Sequence, residues 1–365
     1  MIEEGEPVVP QVGNSGDTKS KIRDMIVVGS GPCGIGAAVS AKRENLDVLL
    51  LELGPAISYR WRSHYDRLHL HGERKLAAFP GSPIPPEYGR WVGRDDYAKY
   101  LDGYLKASGV EVELERRVDR VEKRGDVWQV SVGDEKYLAR QVVIATGINR
   151  TPKIPDWPGL ETFTGQFLHS GEYKNAEPFV GKDVLVVGVG NSGAEIAGDL
   201  FDGGAKSVSV AYHNPPVIVP RSFGKHISLS HVLRIVQPLP DPILDRIVLL
   251  LHRLSFGDLS RYGLPKPEKG IVQRMRVGGA PIVNVTFVED LKAGHFKIVP
   301  AVERFDGPAV ICGDRRLTPD VVIAATGWYG NLEPIVGHLG VLTDRGMPKA
   351  FGSGGNNPRP VLPRL

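Results

Sequence analysis

A repeated local grammar most limits what this chain can fold into: a short apolar run breaks straight into closely spaced glycines and then into a small-residue helix. It appears as Asp24-Met-Ile-Val-Val28 running into Gly29-Ser-Gly31-Pro-Cys-Gly34, and again as Asp183-Val-Leu-Val-Val187 running into Gly188-Val-Gly190-Asn-Ser-Gly193. An apolar run without polar alternation reads as a parallel strand buried on both faces. After the glycines come helical stretches, Ile35 to Arg43 and Ala194 to Phe201, and then second strands, Val48 to Leu51 and Ser207 to Tyr212. Each copy is thus a βαβ unit with a glycine-rich strand-to-helix turn, the pattern of a dinucleotide site. The first glycine permits the tight turn, the second lets a pyrophosphate approach the backbone, and the third lets helix and strand pack closely. The helix N-terminus then offers amide hydrogens and partial positive charge to the phosphates.

The expected fold is therefore α/β, with two Rossmann-like dinucleotide-binding domains, the second inserted in the first. Residues 1–21 read as a disordered leader and 22–175 as the first part of a flavin-binding domain. Residues 176–300 read as a nicotinamide-binding domain with a helical insertion at about 226–262. Residues 301–350 return to the first domain, and 351–365 form a disordered tail. Pro152, Pro155 and Pro158 mark the connection before the second unit. Two more apolar strands end alike, Val142-Val-Ile-Ala-Thr-Gly147 and Val321-Val-Ile-Ala-Ala-Thr-Gly327. Either each half closes in an equivalent way, or the chain returns to its first domain there. In the insertion, Ile247-Val-Leu-Leu-Leu251 between Arg246 and Arg253 reads as a core-facing helix or pocket lid in preference to a membrane contact.

Site residues follow from the motifs. Gly29, Gly31 and Gly34 hold the first dinucleotide, and Glu52, at the end of the second strand, is placed to bond ribose hydroxyls. Gly188, Gly190, Asn191, Ser192 and Gly193 hold the second. That unit's second strand ends at Tyr212-His213 with no acid. An acid there would favour NAD, so NADPH is expected and NADH stays open, with His213 or Arg221 left to meet a 2′-phosphate.

Composition removes other classes. The 365 residues carry a net charge of only +3 without basic blocks, which argues against nucleic acid. Only Cys33 and Cys312 are present, so the chain has no Cys-x-x-Cys dithiol, haem-attachment motif or iron–sulfur ligand set. Electrons passed from a nicotinamide to a flavin must then go to oxygen or a small organic acceptor. No apolar stretch approaches the roughly 18 residues of a membrane span, and a reducing cytoplasmic setting is the default.

Phe163-Thr-Gly165-Gln-Phe-Leu-His169-Ser-Gly-Glu-Tyr173-Lys174 fits the pattern FxGxxxHxxx(Y/F)(K/R) just before the second glycine motif. With Trp61-Arg-Ser-His-Tyr-Asp-Arg-Leu68, Gly190-Asn-Ser-Gly193 and Tyr262-Gly-Leu-Pro-Lys-Pro267, this stretch resembles the flavin-containing monooxygenases, most of all the plant YUCCA-type and related bacterial members. The resemblance covers roughly Ile22 to Gly346. It implies FAD reduced by NADPH, oxygen added at the flavin C4a to give a peroxide, and transfer to a small organic substrate. That substrate is an α-keto acid such as indole-3-pyruvate in YUCCA-type members, or a soft nitrogen or sulfur nucleophile in others. It further implies that Trp61 to His71 passes near the flavin, with Trp61 a cofactor contact and Arg67, His69 and His71 the candidate catalytic residues. A reading in which Arg67 pairs with an acid and the histidines only pack stays open. His169, Tyr173 and Lys174 are expected to order the linker. A flavin reductase or oxidase shares every cofactor motif, and a nucleotide-binding remnant without turnover is a further alternative. The family continues past its second Ala-Thr-Gly strand into a segment that covers the flavin, whereas this chain runs into Gly352-Ser-Gly-Gly and a proline-rich end, read as a shortened tail that weakens the flavin site.

Overall fold

The computed structural model describes residues 21–223, 227–228, 232, 239–266, 282–283 and 285–349. The leader before Lys21, the tail from 351 and most of the first part of the insertion lie outside the described residues.

The first apolar run forms β1 (Ile22–Val28), whose Ile26 and Val27 are fully buried. Helix α1 (Pro32–Arg43) starts directly after the glycines with Pro32 in its first turn, where the missing N–H is no loss, and lays Ile35, Ala38 and Val39 on the sheet. Strand β2 (Val48–Leu51) is buried along its whole length. Short helices α2 (Tyr59–Arg62) and α3 (Arg74–Ala77) precede α4 (Arg94–Ser108), which stacks Tyr97, Tyr100 and Leu101 beside α1 and ends at Gly109 in the left-handed conformation. Strand β3 (Glu111–Glu113) joins β2, and β4 (Arg120–Arg124), β5 (Val127–Val132) and β6 (Glu135–Ile144) form an antiparallel meander. The first sheet has the order β3-β2-β1-β6-β5-β4, with β3, β2, β1 and β6 parallel.

After β7 (Thr151–Pro152) the chain enters a second sheet with β8 (Gln166–His169), β9 (Asp183–Val187) and β10 (Ser207–Ala211), between which α5 (Asn191–Asp202) crosses. A hairpin, β11 (Ser222–Phe223) and β12 (Ile227–Ser228), and a long helix, α6 (Asp241–Phe256), follow. Helix α6 packs through Leu244, Val248, His252 and Phe256, while Ile243, Leu250 and Leu254 face outward, so one face is core-directed as expected. Helix α7 (Val285–Ala293) leads into β13 (Lys297–Val299), a meander of β14 (Val302–Asp306), β15 (Ala309–Cys312) and β16 (Arg315–Leu317), then β17 (Val321–Ala324) and β18 (Trp328–Tyr329). The second sheet is wholly parallel in the order β13-β10-β9-β17-β8. No described helix is long and apolar enough to cross a membrane.

Strand membership moves both expected boundaries. The chain leaves the first sheet after Ile144, not after 175, because β8 pairs with β17. It does not return at 301 either, because β17 pairs with β9. The return is made by α8 (Glu333–Val336): Leu332 just before it, with its Ile335 and Val336, covers the face of the first sheet formed by Ile26, Val28 and Leu49. The repeated Ala-Thr-Gly strands therefore close the two sheets equivalently. Ala145 N–H donates to Val28 O and Ala325 N–H to Val187 O, both at 2.8 Å, and Gly29 N–H to Leu51 O matches Gly188 N–H to Ala211 O, again both at 2.8 Å. The second unit is thus inserted in the first.

The third glycine of each motif has no room for a side chain. A Cβ on Gly34 would lie 1.8 Å from Gly29 O, and one on Gly193 would lie 1.9 Å from Gly188 O. Overpacking of this kind costs about 1–3 kcal/mol, and here the obstacle is backbone that cannot swing aside. In thermal denaturation of the cofactor-free protein, Gly34→Ala and Gly193→Ala should each lower the melting temperature by several degrees, whereas Gly31→Ala, whose Cβ would meet nothing within 4 Å, should leave it unchanged.

Candidate functional site

Each glycine turn leaves a crest open above a helix N-terminus. A Cβ on Gly31 or on Gly190 would have nothing within 4 Å, and neither residue caps its helix with a side chain. First-turn amides without a side-chain cap beside open space are what a pyrophosphate requires. Gly29 (φ 104°) and Gly188 (φ 115°) make the turns, in a region an L side chain rarely adopts. Both sites accordingly fit a dinucleotide.

Glu52 is buried at the end of β2 and is tied to the first turn: it accepts the Ser30 N–H at 2.8 Å and the Ser30 hydroxyl, and its other oxygen accepts Gly54 N–H at 2.9 Å. Ser58, just before α2, reaches the same turn, its N–H donating to Ser30 Oγ at 2.7 Å and its hydroxyl to Ser30 O at 2.9 Å. Glu52 and Ser58 therefore hold the loop in shape on the side where ribose lies in such units. Trp61 packs into the first core, edge-on to Tyr97 at 4.9 Å.

From Trp61 onward the chain crosses to the second unit. Glu195, buried in α5, accepts the Tyr65 hydroxyl at 2.7 Å and faces His71 Nε2 at 3.0 Å, with Arg221 at 3.7 Å. Burial first, then the Glu195 charge, raises the Tyr65 phenol far above its ordinary range, so it remains a donor. Arg67 binds Asp202 at 2.5 Å, with Asp199 at 3.7 Å, near the C-terminal end of α5. His69 is exposed and its Nδ1 lies 2.8 Å from Arg67 O. Arg67, His69 and Arg221 line one pocket of about 210 Å³ with Ala194, Glu195, Gly198, Thr286 and Asp290. Of the three candidate catalytic residues, Arg67 and His71 are held on α5 by its acids, and His69 shares the pocket with Arg67. Of the two open readings, the ion pair is the one the Arg67 contacts match.

Around the second turn, Asn191 Oδ1 accepts Val283 N–H at 2.8 Å. His213 is exposed beyond β10, whereas Arg221 rests over Trp91 at 5.3 Å, so these two are engaged in different surroundings. Burial lowers the Arg221 pKa, with the Glu195 charge opposing.

The signature residues order the linker. His169 is buried; Gly171 N–H donates to its Nδ1 at 3.1 Å, so its Nε2 carries the proton and donates to Gly327 O at 3.0 Å. The ring meets Trp328 edge-on at 4.6 Å. Tyr173 donates to Asp199 at 2.7 Å, and Lys174 donates to Ser63 O. His64, between the units, is held neutral with a pKa of about 4, by burial first and then by Arg60, Lys174 and Arg94.

Sequence reasoning missed Ser58, Arg60, Tyr65 and Glu195. An acid at a core-facing helix position, Glu195 between Ala194 and Ile196, was the available signal for the last.

Two tandem dinucleotide folds with open glycine crests, joined by a segment that touches both, define a two-nucleotide flavoprotein of the pyridine-nucleotide-linked class. Residues 26–230 match the family model described as pyridine nucleotide-disulphide oxidoreductase. The chain is 33% identical over 313 residues to indole-3-pyruvate monooxygenase YUCCA1 of Oryza sativa subsp. japonica, covering 84% of this chain and 77% of that one. It superposes on the flavin-containing monooxygenase from Stenotrophomonas maltophilia with a TM-score of 0.67 at 26% identity, over 93% of this chain and 86% of that one. A structure of OTEMO in complex with FAD and NADP shares the fold, with a TM-score of 0.68 at 18% identity over 90% of this chain and 80% of that one. The chain belongs to the pyridine nucleotide-disulphide oxidoreductase family and, within it, to the YUCCA-type flavin-dependent monooxygenases. Its two cysteines are both free, Cys33 in helix α1 and Cys312 in strand β15, so the disulphide chemistry in the broader family's name has no dithiol here.

The open crests separate the two cofactors experimentally. Gly31→Ala should lower the flavin content of the purified protein, while Gly190→Ala should keep the flavin and raise the KM for the nicotinamide cofactor at least tenfold, about 1.4 kcal/mol. Absorbance at the flavin band and steady-state oxidation kinetics measure the two effects.

Proposed function

We infer that this protein is an NADPH-dependent, FAD-containing monooxygenase that converts a small α-keto acid to the carboxylic acid one carbon shorter. Overall, R–CO–COO⁻, O2, NADPH and H⁺ yield R–COO⁻, CO2, NADP⁺ and H2O. The observation that carries this reading is the pair of equivalent glycine turns, open at Gly31 and Gly190, in a chain 33% identical to a relative named an indole-3-pyruvate monooxygenase.

When bound, FAD and NADPH supply hydride transfer and oxygen activation. The residues of this chain supply placement. Gly29, Gly31 and Gly34, with Ser30 held by Glu52 and Ser58, seat the flavin pyrophosphate and ribose. Gly188, Gly190, Asn191, Ser192 and Gly193 seat the nicotinamide cofactor. Arg67 and His71 act through α5, holding the segment after Trp61 against the second unit so that the two nucleotides keep one geometry, and His69 ties its ring to the Arg67 carbonyl within that segment. Hydride transfer needs reacting atoms about 3–3.5 Å apart, which makes this bracing functional.

NADPH is preferred because β10 ends without a carboxylate, which leaves the exposed His213 to meet the 2′-phosphate; Arg221 is engaged by Glu195 and Trp91. A reducing cytoplasm suits the two unpaired cysteines.

Oxygen and NADPH consumption should be stimulated by arylpyruvates, with CO2 released in proportion to oxygen consumed. Hydrogen peroxide released at the same rate without any substrate would instead identify an oxidase, and stimulation by amines or sulfides alone would move the substrate class. Separately, His213→Asp should shift preference toward NADH by roughly tenfold or more, read from the ratio of kcat/KM for the two cofactors.

A further inference from the structure

Among the described residues, Arg60 is a cation without an anion. Its Nε and Nη2 are both buried and have no hydrogen-bond partner, and alone among the described arginines it has two such nitrogens. No carboxylate is paired with it among the described residues. Burial lowers its pKa. An unmatched buried charge is costly and persists where something else completes it.

The surroundings say what would complete it. The guanidinium lies 4.0 Å over the ring of Trp328, which holds its plane by cation–π attraction and leaves an edge free. That free edge, Nε with Nη2, is the fork that receives a planar carboxylate through two parallel bonds. Arg94 in the same chain uses the same two nitrogens on the two oxygens of Asp95, at 2.7 and 3.1 Å.

Position supplies the rest. Arg60 follows by two residues Ser58, which is bonded to the first glycine turn, and Trp328 directly follows the Ala-Thr-Gly that closes the second sheet. The Arg60–Trp328 contact thus joins the segment that leaves the first glycine turn to the end of the strand that closes the second sheet. His64, His169 and Lys174 lie near enough for Arg60 to depress their pKa values, and of these only Lys174 is an ordinary cation, already donating to Ser63 O.

We propose that Arg60, backed by Trp328, is the binding residue for the carboxylate of an α-keto-acid substrate. This rests on the keto-acid reading above. Because the reacting carbonyl of such a substrate is bonded directly to its carboxylate, fixing the carboxylate also fixes the reacting carbon.

The test uses the full chain loaded with FAD, with phenylpyruvate as the acidic probe and thioanisole as a neutral one. Perturbation of the oxidised flavin spectrum reports binding without turnover. In Arg60→Met the Kd for phenylpyruvate should rise roughly ten- to hundred-fold, as expected for a lost charge-assisted pair. Arg60→Lys, which keeps the charge but not the fork, should recover part of it, and the Kd for thioanisole should not move. If the unmodified enzyme takes thioanisole but not phenylpyruvate, the keto-acid reading fails. If it takes phenylpyruvate and both variants bind it unchanged, only the assignment of Arg60 fails. Loss of flavin, or a shifted flavin reduction potential with unchanged phenylpyruvate affinity in Arg60→Lys, would place the flavin itself against Arg60 and overturn the proposal.

Discussion

A single contact made twice sets the terms for the whole molecule: the backbone of the third glycine pressed against the carbonyl of the first. At Gly34 and Gly193 there is no volume for even a methyl group. That approach brings the start of each helix up to the end of its strand, so that first-turn amides point over the middle glycine into open space. The Ala-Thr-Gly strand presses from the other side, and a Cβ on Gly29 or Gly188 would meet Ala145 O at 2.6 Å or Ala325 O at 2.4 Å. A phosphate site in this chain is therefore bounded by three backbone segments. No side chain at the turn could reproduce it, which is why the same residue type recurs at the same spacing.

Two such sites are useful only at a fixed mutual geometry, and the segment from Ser58 to His71 supplies it. One end is bonded to the first turn through Ser58 and Ser30. The other is bonded to α5 through Tyr65 and His71 on Glu195 and through Arg67 on Asp202. Between them, Asp66 N–H donates to Lys174 O at 2.8 Å and Asn175 donates to the Asp66 carboxylate at 2.8 Å, so the signature stretch grips the same segment from behind. Glu195 is the costly element, a buried acid that must be supplied with donors. Its neighbours Tyr65 and His71 come from the other nucleotide unit, so burying Glu195 is favourable only when the two units are docked.

Legibility divided along the same line. The strands β1, β2, β9 and β17, the two turns and the insertion of one unit in the other were readable, because strand burial and glycine spacing are properties of neighbours in sequence. Sheet membership of β8 and β17 was not, since Gln166 to His169 pairs with Val321 to Ala324 across more than a hundred residues and no local pattern records a partner. The same holds for the site. Gly29, Gly31, Gly34, Gly188, Gly190 and Gly193 were visible from spacing. That Arg67 and His71 would settle on α5 depended on Asp202 and Glu195, which helical periodicity places on the helix but cannot aim at a segment of the other unit.

Charge allocation then explains why the cations of the cleft differ in role. Helix α5 and its neighbourhood present Glu195, Asp199 and Asp202, and these absorb Arg67 and approach Arg221. Arg94 is matched by Asp66 and Asp95, and Arg62 by Asp102. Arg60 stands between these groups, close to the acids in sequence and yet without one in space among the described residues, and it rests on an indole instead. A ring face attracts a guanidinium without using its N–H bonds, so Trp328 holds the cation while leaving its hydrogen-bonding edge unsatisfied. An acid at that place would have neutralised the guanidinium and closed it to other anions. The aromatic partner keeps the positive charge and orients it, which is the arrangement a site needs when its anion arrives and leaves with every turnover.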